Sequence, residues 1–345
     1  MMVNILLTSA GRRSYIVDYF KKTKGVGKVY ASNSVYTIAL KRADSYFISP
    51  LIYDPLYIPS IISFCKKHNV KAVLSLFDID LLVLAQNSKV FNENGIELIL
   101  APESFVNVCN DKFATYQFIT SLGLKSPKTY LNLRSVKDAI AKCEIQYPII
   151  IKPRWGMASM GIYKVENDVE LEFFASKCYK DIFNSYLKYE SAITKNEAII
   201  YQEVMMGEEY GLDVLNDLNG NYVKTFAKQK ITMRSGETDL GRTVDPSPFI
   251  NTAKAIATNS RHHGICSVDC FKQDGEIFVI EMNCRVSGHY PLAYLAGFNY
   301  PQLIIDWLNG KNTNPDLLKF DTDLYIIKDL YPTILCKGDD REPLV

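Results

Sequence analysis

The sequence has almost no net charge: 39 Lys+Arg stand against 38 Asp+Glu, leaving +1 at neutral pH. That balance exerts no general pull on nucleic acid or an anionic membrane, although a local basic pocket for phosphate stays open. No apolar run approaches the ~18–20 residues that a membrane-crossing helix needs. The start, Met2 through Ser9, lacks the basic leader of a secretory signal and soon meets Arg12-Arg13, so it reads as a first strand. Eight cysteines are present but none forms a CxxC pair, and His262, His263, Cys266 and Cys270 fit no standard zinc module. Scattered thiols in a chain of this length imply reduced cysteines and a cytoplasmic setting. The GxGxxG turn is missing from Ser9-Ala10-Gly11-Arg12-Arg13-Ser14, which discounts a dinucleotide oxidoreductase. Gly156 and Gly161 have P-loop spacing, but Ile162-Tyr163 follow where Lys-Ser/Thr is required, so a Walker A site is excluded. There is no internal repeat and no low-complexity tract.

What is present is an ordinary soluble composition, 48% hydrophobic and 22% charged over 345 residues, enough for two or three domains. The first hundred residues alternate short apolar runs (3–8, 29–32, 72–76, 97–100) with helical spacing (14–22, 58–68, 81–93). Alternation of that kind predicts a Rossmann-like parallel sheet covered on both faces. After it come helices over 111–122, 136–143 and 170–189. Strands are predicted over 147–153, 162–165, 198–204, 210–215 and 222–230, with a hairpin at Gly275 joining 266–272 to 277–282. The expected class is α/β then α+β, in three parts. Residues 1–108 form the Rossmann-like domain. Residues 109–312 form a two-lobed unit with antiparallel sheets, its smaller lobe near 125–204. Residues 313–345 form a tail of unknown role. His262-His263 is expected at the surface.

Three constellations carry chemistry. Lys152-Pro153-Arg154-Trp155-Gly156 through Gly161 places a lysine at a strand end before a glycine-bearing turn, suited to holding an anion; taken alone, it fits a plain β-hairpin equally. Glu203-Val204 and Glu209 put two carboxylates on either side of a turn at Gly207, able to accept from an adenine edge and a ribose, or simply to form a solvated acidic turn. The third is sharpest. Glu281, Asn283 and Arg285 share one strand face by period two, and Asp269 on the partner strand reaches the same face. Two carboxylates and an amide oxygen suit Mg²⁺, and an arginine beside them suits phosphate or a developing anion. A structural salt bridge is the alternative.

In this order the constellations resemble the ATP-grasp superfamily, and within it single-unit proteins related to the carbamoyl-phosphate synthase large subunit and the carboxylate–amine ligases. The resemblance covers about residues 1–310. It rests on Leu6 through Arg13, Asn110-Asp111-Lys112, Gly123-Leu124, Pro127 and the Glu281-x-Asn283-x-Arg285 signature. By resemblance, Lys112 and Lys152 hold ATP phosphates under a flexible lid running from Gly156 through Ser159 to Gly161. Glu203 and Val204 lie on the strand that reads adenine, and Glu209 binds ribose. Asp269, Glu281 and Asn283 are magnesium ligands, with Mn²⁺ as a possible substitute. Arg285 stabilises the transition state leading to the acyl phosphate. Lys228, Lys230 and Arg234 precede Ser235–Thr243, which looks like a mobile loop over the γ-phosphate or the second substrate.

The implied reaction is ATP-dependent ligation of a carboxylate to an amine or ammonia through an acyl phosphate, releasing ADP and phosphate. The alternatives are a carbamoyl-phosphate-synthase-like enzyme acting on bicarbonate or carbamate, and an ATP-binding protein without turnover. No nucleic acid or membrane partner is expected, and a homodimer is an open option. Arg12 and Arg13 follow the first strand, where a substrate anion docks in parallel sheets, or they form a surface pair. Asp78 and Asp80 are ligands for a substrate amine or hydroxyl, or caps of the next helix. His289 is a base for the incoming amine, or a loop histidine bonded to backbone. Cys270 and Cys284 alternate with the metal ligands and should face the packed side.

Overall fold

The computed structural model describes residues 2–156, 160–234, 236–329 and 331–335, arranged around three sheets. The first is parallel, with β1 (Val3–Thr8), β2 (Val26–Asn33), β3 (Ser45–Ile48), β4 (Val70–Ser75) and β5 (Glu97–Leu98) in the order β3-β2-β1-β4-β5. Ile5, Leu6 and Leu7 in succession are fully buried, as a strand covered on both faces requires. Leu6 and Val73 pack toward helices Tyr57–Lys67 and Asp78–Gln86. Ile5, Leu7 and Leu74 pack toward Ser14–Lys21 and, from the far end of the chain, Tyr300–Leu308. The chain builds outward from β1 through β2 to β3, then returns to β4, so the β1/β4 boundary is the switch point where such sheets open a crevice.

Strand β3 and helices Ile38–Arg42 and Glu103–Asn110 were not expected from the sequence. The single helix predicted over 81–93 is two, Asp78–Gln86 and Ser88–Glu93, broken at Asn87. There the side-chain amide donates to Val83 O at 2.8 Å.

The second sheet is antiparallel: β6 (Thr129–Tyr130), β7 (Ile149–Pro153), β8 (Tyr163–Val165) and β9 (Ile199–Glu203), ordered β6-β9-β7-β8. It has its own core, where Ile149, Ile151 and Val165 meet Leu171, Cys178 and Ile182 of helix Asp168–Phe183.

The third sheet holds β10 (Glu208–Asn216), β11 (Tyr222–Arg234), β12 (Glu237–Val244), β13 (Gly264–Gln273), β14 (Glu276–Asn283) and β15 (Tyr325–Ile327) in the order β14-β13-β10-β11-β12-β15. Two expectations are corrected here, for Ser235–Thr243 and for His262. In the former, Ser235 lies outside the described residues and from Glu237 onward the segment is β12 instead of a loop, paired with β11 from Arg234↔Glu237 to Ala227↔Val244. Its Thr238 and Thr243 are buried, so the segment is polar yet strand-forming. The motif-less tail is partly a strand too, with β15 lying against Leu240–Arg242. His262 is also buried, not at the surface; its ring bridges Ser260 Oγ at 2.7 Å and Val214 O at 3.0 Å, and burial pushes it down to about 4. Cys266, Cys270 and Cys284 lie in the core, away from the ligand face. Among the described residues, no helix is long and apolar enough to cross a membrane.

Candidate active site

A cavity of about 410 Å³ opens where the three sheets meet. Its floor is the β13–β14 hairpin, whose register sets Asp269 opposite Glu281 and Ser267 opposite Asn283. All four line the cavity, because alternate residues of paired strands share a face. Lys230 rises from β11 between two carboxylates, 2.8 Å from Glu209 Oε1 and 2.8 Å from Asp269 Oδ2. Burial opposes its charge, but Asp269 and Glu209 outweigh burial and hold the ammonium above its ordinary range. Burial likewise pushes Asp269 up; Lys230 and His289 prevail and keep it ionised well below the usual carboxylate range.

Asp269 Oδ1 is buried and, with His289 Nε2 3.6 Å away, makes no hydrogen bond among the described residues. With Glu281 and Asn283 beside it, this ionised oxygen belongs to a set of hard oxygen ligands. These residues therefore fit Mg²⁺.

The cationic wall comes from the second sheet and the helix before it. Asp111 caps helix Lys112–Ser121, accepting from Phe113 N and Ala114 N. The same carboxylate takes a two-pronged ion pair from Arg154, at 2.7 and 2.6 Å, which ties the end of β7 to that helix. The cap thus aims Lys112, whose Nζ lies 2.5 Å from Gly156 O and 3.4 Å from Glu281 Oε1. Lys152 is buried and donates to Gln202 Oε1 at 2.7 Å; burial first, then the neighbouring Lys112, depress it to about 8. Gly156 lines the cavity, and Gly161 makes the turn at φ +68°, the left-handed region that favours glycine. Ser159 lies outside the described residues.

The opposite end is built at the switch point. Arg285 donates to Asp78 Oδ2 at 2.7 Å and Arg13 to Val286 O at 2.7 Å, so both segments following β1 and β4 are tied to the end of β14. His289 lines the cavity between Ser267 Oγ (3.1 Å) and Ser287 Oγ (2.9 Å), with Nε2 3.6 Å from Asp269 Oδ1. Burial, then Lys228, lower it to about 4, so it is neutral and bonded to hydroxyls instead of backbone. Its ring lies against Gly211, where a Cβ would stand 2.6 Å from Nε2.

Several predicted residues are placed elsewhere. Lys228 is fully buried in an ion pair with Asp213 and does not line the cavity; Lys230, two residues on, does. Arg12 is exposed while Arg13 turns inward. Asp80 is completely buried and accepts from Thr8 (2.6 Å), Tyr57 (2.6 Å) and Ser75 (2.7 Å). It pins the ends of β1 and β4 together, and burial pushes its carboxyl up despite those hydroxyls. Arg234 points outward to Asp239 at 2.8 Å. Glu203 and Val204 lie outside the cavity lining, and the Glu203 carboxylate accepts from Lys128 N at 3.1 Å. Sequence reasoning missed Glu237, brought in by the unpredicted strand β12, and Lys328, which follows β15.

Comparison with known proteins gives two family matches: the PylC-like, N-terminal domain over residues 5–99, and the ATP-grasp domain over residues 109–289, more than half of the 345 residues. The arginine-specific large chain of carbamoyl phosphate synthase from Bacillus subtilis is 21% identical over 279 residues, covering 78% of this chain but only 25% of that protein. A D-alanine–D-alanine ligase from Streptococcus equi subsp. zooepidemicus is 26% identical over 220 residues, 57% of this chain and 60% of the ligase. Among solved structures, the biotin carboxylase domain of Hydrogenobacter thermophilus 2-oxoglutarate carboxylase, in complex with MgADP, ADP and bicarbonate, superposes with a TM-score of 0.71. It covers 94% of this chain and 74% of that one at 17% identity, a likeness of fold.

Proposed function

The chain belongs to the ATP-grasp domain family, and from that premise we propose that it activates a carboxylate with ATP and passes the acyl group to an amine. The observation that carries the reading is the convergence on one cavity of three lysines, a hard oxygen ligand set and two arginines. Lys112 and Lys152 reach the cavity from the side of the glycine turn, where they would neutralise a triphosphate. Asp269, Glu281 and Asn283 would hold Mg²⁺ with the phosphates, and Mn²⁺ would serve as a substitute. When bound, that cation supplies charge neutralisation at the transferring phosphoryl group. Lys230 keeps Asp269 ionised and holds both Asp269 and Glu209 in place. Arg285 lies beside Asn283, where its planar fork can stabilise negative charge building between a carboxylate oxygen and the γ-phosphorus.

The step balances without a protein nucleophile. The carboxylate oxygen bonds to the γ-phosphorus as the bond to ADP breaks. The amine nitrogen then bonds to the acyl carbon, its proton goes to water, and phosphate leaves with the former carboxylate oxygen. The buried thiols of Cys270 and Cys284 take no part.

The test is ADP release from ATP with pooled carboxylates and amines, beside calorimetry with a non-hydrolysable ATP analogue. Analogue binding should weaken sharply under chelation, and ADP release should require a carboxylate. Tight analogue binding that ignores chelator, with no carboxylate-dependent ADP release, contradicts the reading.

A further inference from the structure

The switch-point end of the cavity has a charge pattern that ATP and a metal do not use. Two guanidiniums meet on one acceptor: Arg13 donates to Val286 O at 2.7 Å and Arg285 donates to the same oxygen at 3.3 Å. Like charges held this close repel, and an anion between them relieves the repulsion. A donor for such an anion is in place: Arg285 Nε is buried with no partner among the described residues.

Two carboxylates face the same space. Asp78 commits Oδ2 to Arg285. Glu237 commits Oε2 to Lys328 at 3.1 Å, while Oε1 stands 3.8 Å from Arg13, beyond hydrogen-bond reach. The Glu237 side chain is seated against Gly288, where a Cβ would come within 2.7 Å of Glu237 Cδ. Lys328 also donates to Gly288 O at 3.2 Å, so the segment after β15 fastens both the carboxylate and the backbone beneath it. Arg13, Arg285 and Lys328 beside Asp78 and Glu237 give this end fixed charges of both signs, which suit a zwitterion better than a phosphate dianion. The second oxygen of each carboxylate, without a hydrogen bond among the described residues, suits a cation.

We propose that this end of the cavity takes the carboxylate substrate as a free α-amino acid, its carboxylate between Arg13 and Arg285 and its ammonium at Glu237 and Asp78, with Lys328 as the residue that positions Glu237. The inference rests on the carboxylate-activating function and names its substrate class. The reacting carboxylate then lies next to Asn283, on the ligand face. The ammonium sits against the two acids and is not consumed.

Hydroxylamine tests this without knowledge of the natural amine. It attacks the acyl phosphate through nitrogen, phosphate leaves, the nitrogen proton goes to water, and a hydroxamate accumulates beside ADP. Each α-amino acid is compared with the 2-hydroxy acid of the same side chain, alongside acetate and bicarbonate. The preferred amino acid should exceed its hydroxy acid in kcat/KM by about tenfold or more, the worth of a hydrogen bond to a charged group. Glu237→Gln should collapse that ratio toward one. Lys328→Met should lower the ratio and Lys328→Arg should restore it, whereas a merely structural lysine would change both acids equally. Equal use of both acids by the natural protein, or a ratio that survives Glu237→Gln, overturns the proposal. Bicarbonate-dependent ADP release without any hydroxamate overturns it too, while leaving ATP-driven carboxylate activation standing. Absence of ADP release with every acid contradicts the function itself.

Discussion

The two ends of the cavity are assembled in opposite ways. The ligand face comes from one β-hairpin, so Asp269, Glu281 and Asn283 are brought together by strand register alone. The switch-point end takes Arg13 from after β1, Asp78 from after β4 and Glu237 from β12, with Lys328 from after β15 bonded to Glu237, residues drawn from separate stretches of the chain. A hairpin writes its site into local periodicity; a junction of sheets does not. A second contrast runs along β11. Lys228 and Lys230 point to the same face, yet Lys228 is sealed against Asp213 while Lys230 reaches the cavity and holds Glu209 and Asp269. One ion pair belongs to folding and the other to the site.

Mutations can separate these roles. Removing a hairpin carboxylate should have the largest effect. Glu281→Gln is expected to lower turnover by on the order of a thousandfold, with loss of magnesium-dependent analogue binding, read by ADP release and calorimetry. Next is the sealed pair. Lys228→Met strands the Asp213 charge in the core and should cost about 3 kcal/mol of stability in denaturant unfolding, much of it regained when Asp213 is also made apolar. Arg285→Lys keeps the charge but loses the planar fork, so turnover should fall by about a hundredfold while analogue affinity moves far less. An unchanged rate would reduce Arg285 to a partner of Asp78.

The smallest effect is a proton. Lys152 is depressed from 10.5 to about 8 by burial and by Lys112. Between those values the unfolded chain binds more protons than the folded one, so its contribution to stability improves as pH rises through that window. Phosphate beside Lys152 would restore its charge. Nucleotide binding at pH 9 should therefore take up a fraction of a proton, visible as a dependence of binding heat on buffer ionisation.

Much of the fold was legible because hydrophobic period follows local geometry. Strands β1, β4, β7, β9, β13 and β14 stand within a few residues of their predicted spans. The losses have particular causes. Strand β12 reads as a loop because its residues are polar and glycine interrupts it, yet pairing with β11 and cover from Leu292 make it a strand. His262 looked like a surface residue at a helix end, but Ser260 and Val214 satisfy its ring inside the core. Adjacent or alternate residues just past strand ends also parted ways. Arg12 and Arg13 differ by one position and Asp78 and Asp80 by two, and backbone direction at the two strand ends, not residue type, decided which enters the cavity.

The claim beneath all of this is that a substrate carboxylate attacks ATP directly. It is tested most directly by supplying the active acid with heavy oxygen in both carboxylate positions, with ATP and hydroxylamine, and weighing the phosphate released. Transfer of one labelled oxygen into each phosphate is the predicted result, because the carboxylate oxygen leaves with the phosphorus in an acyl phosphate. Unlabelled phosphate, with water supplying the oxygen instead, would contradict it.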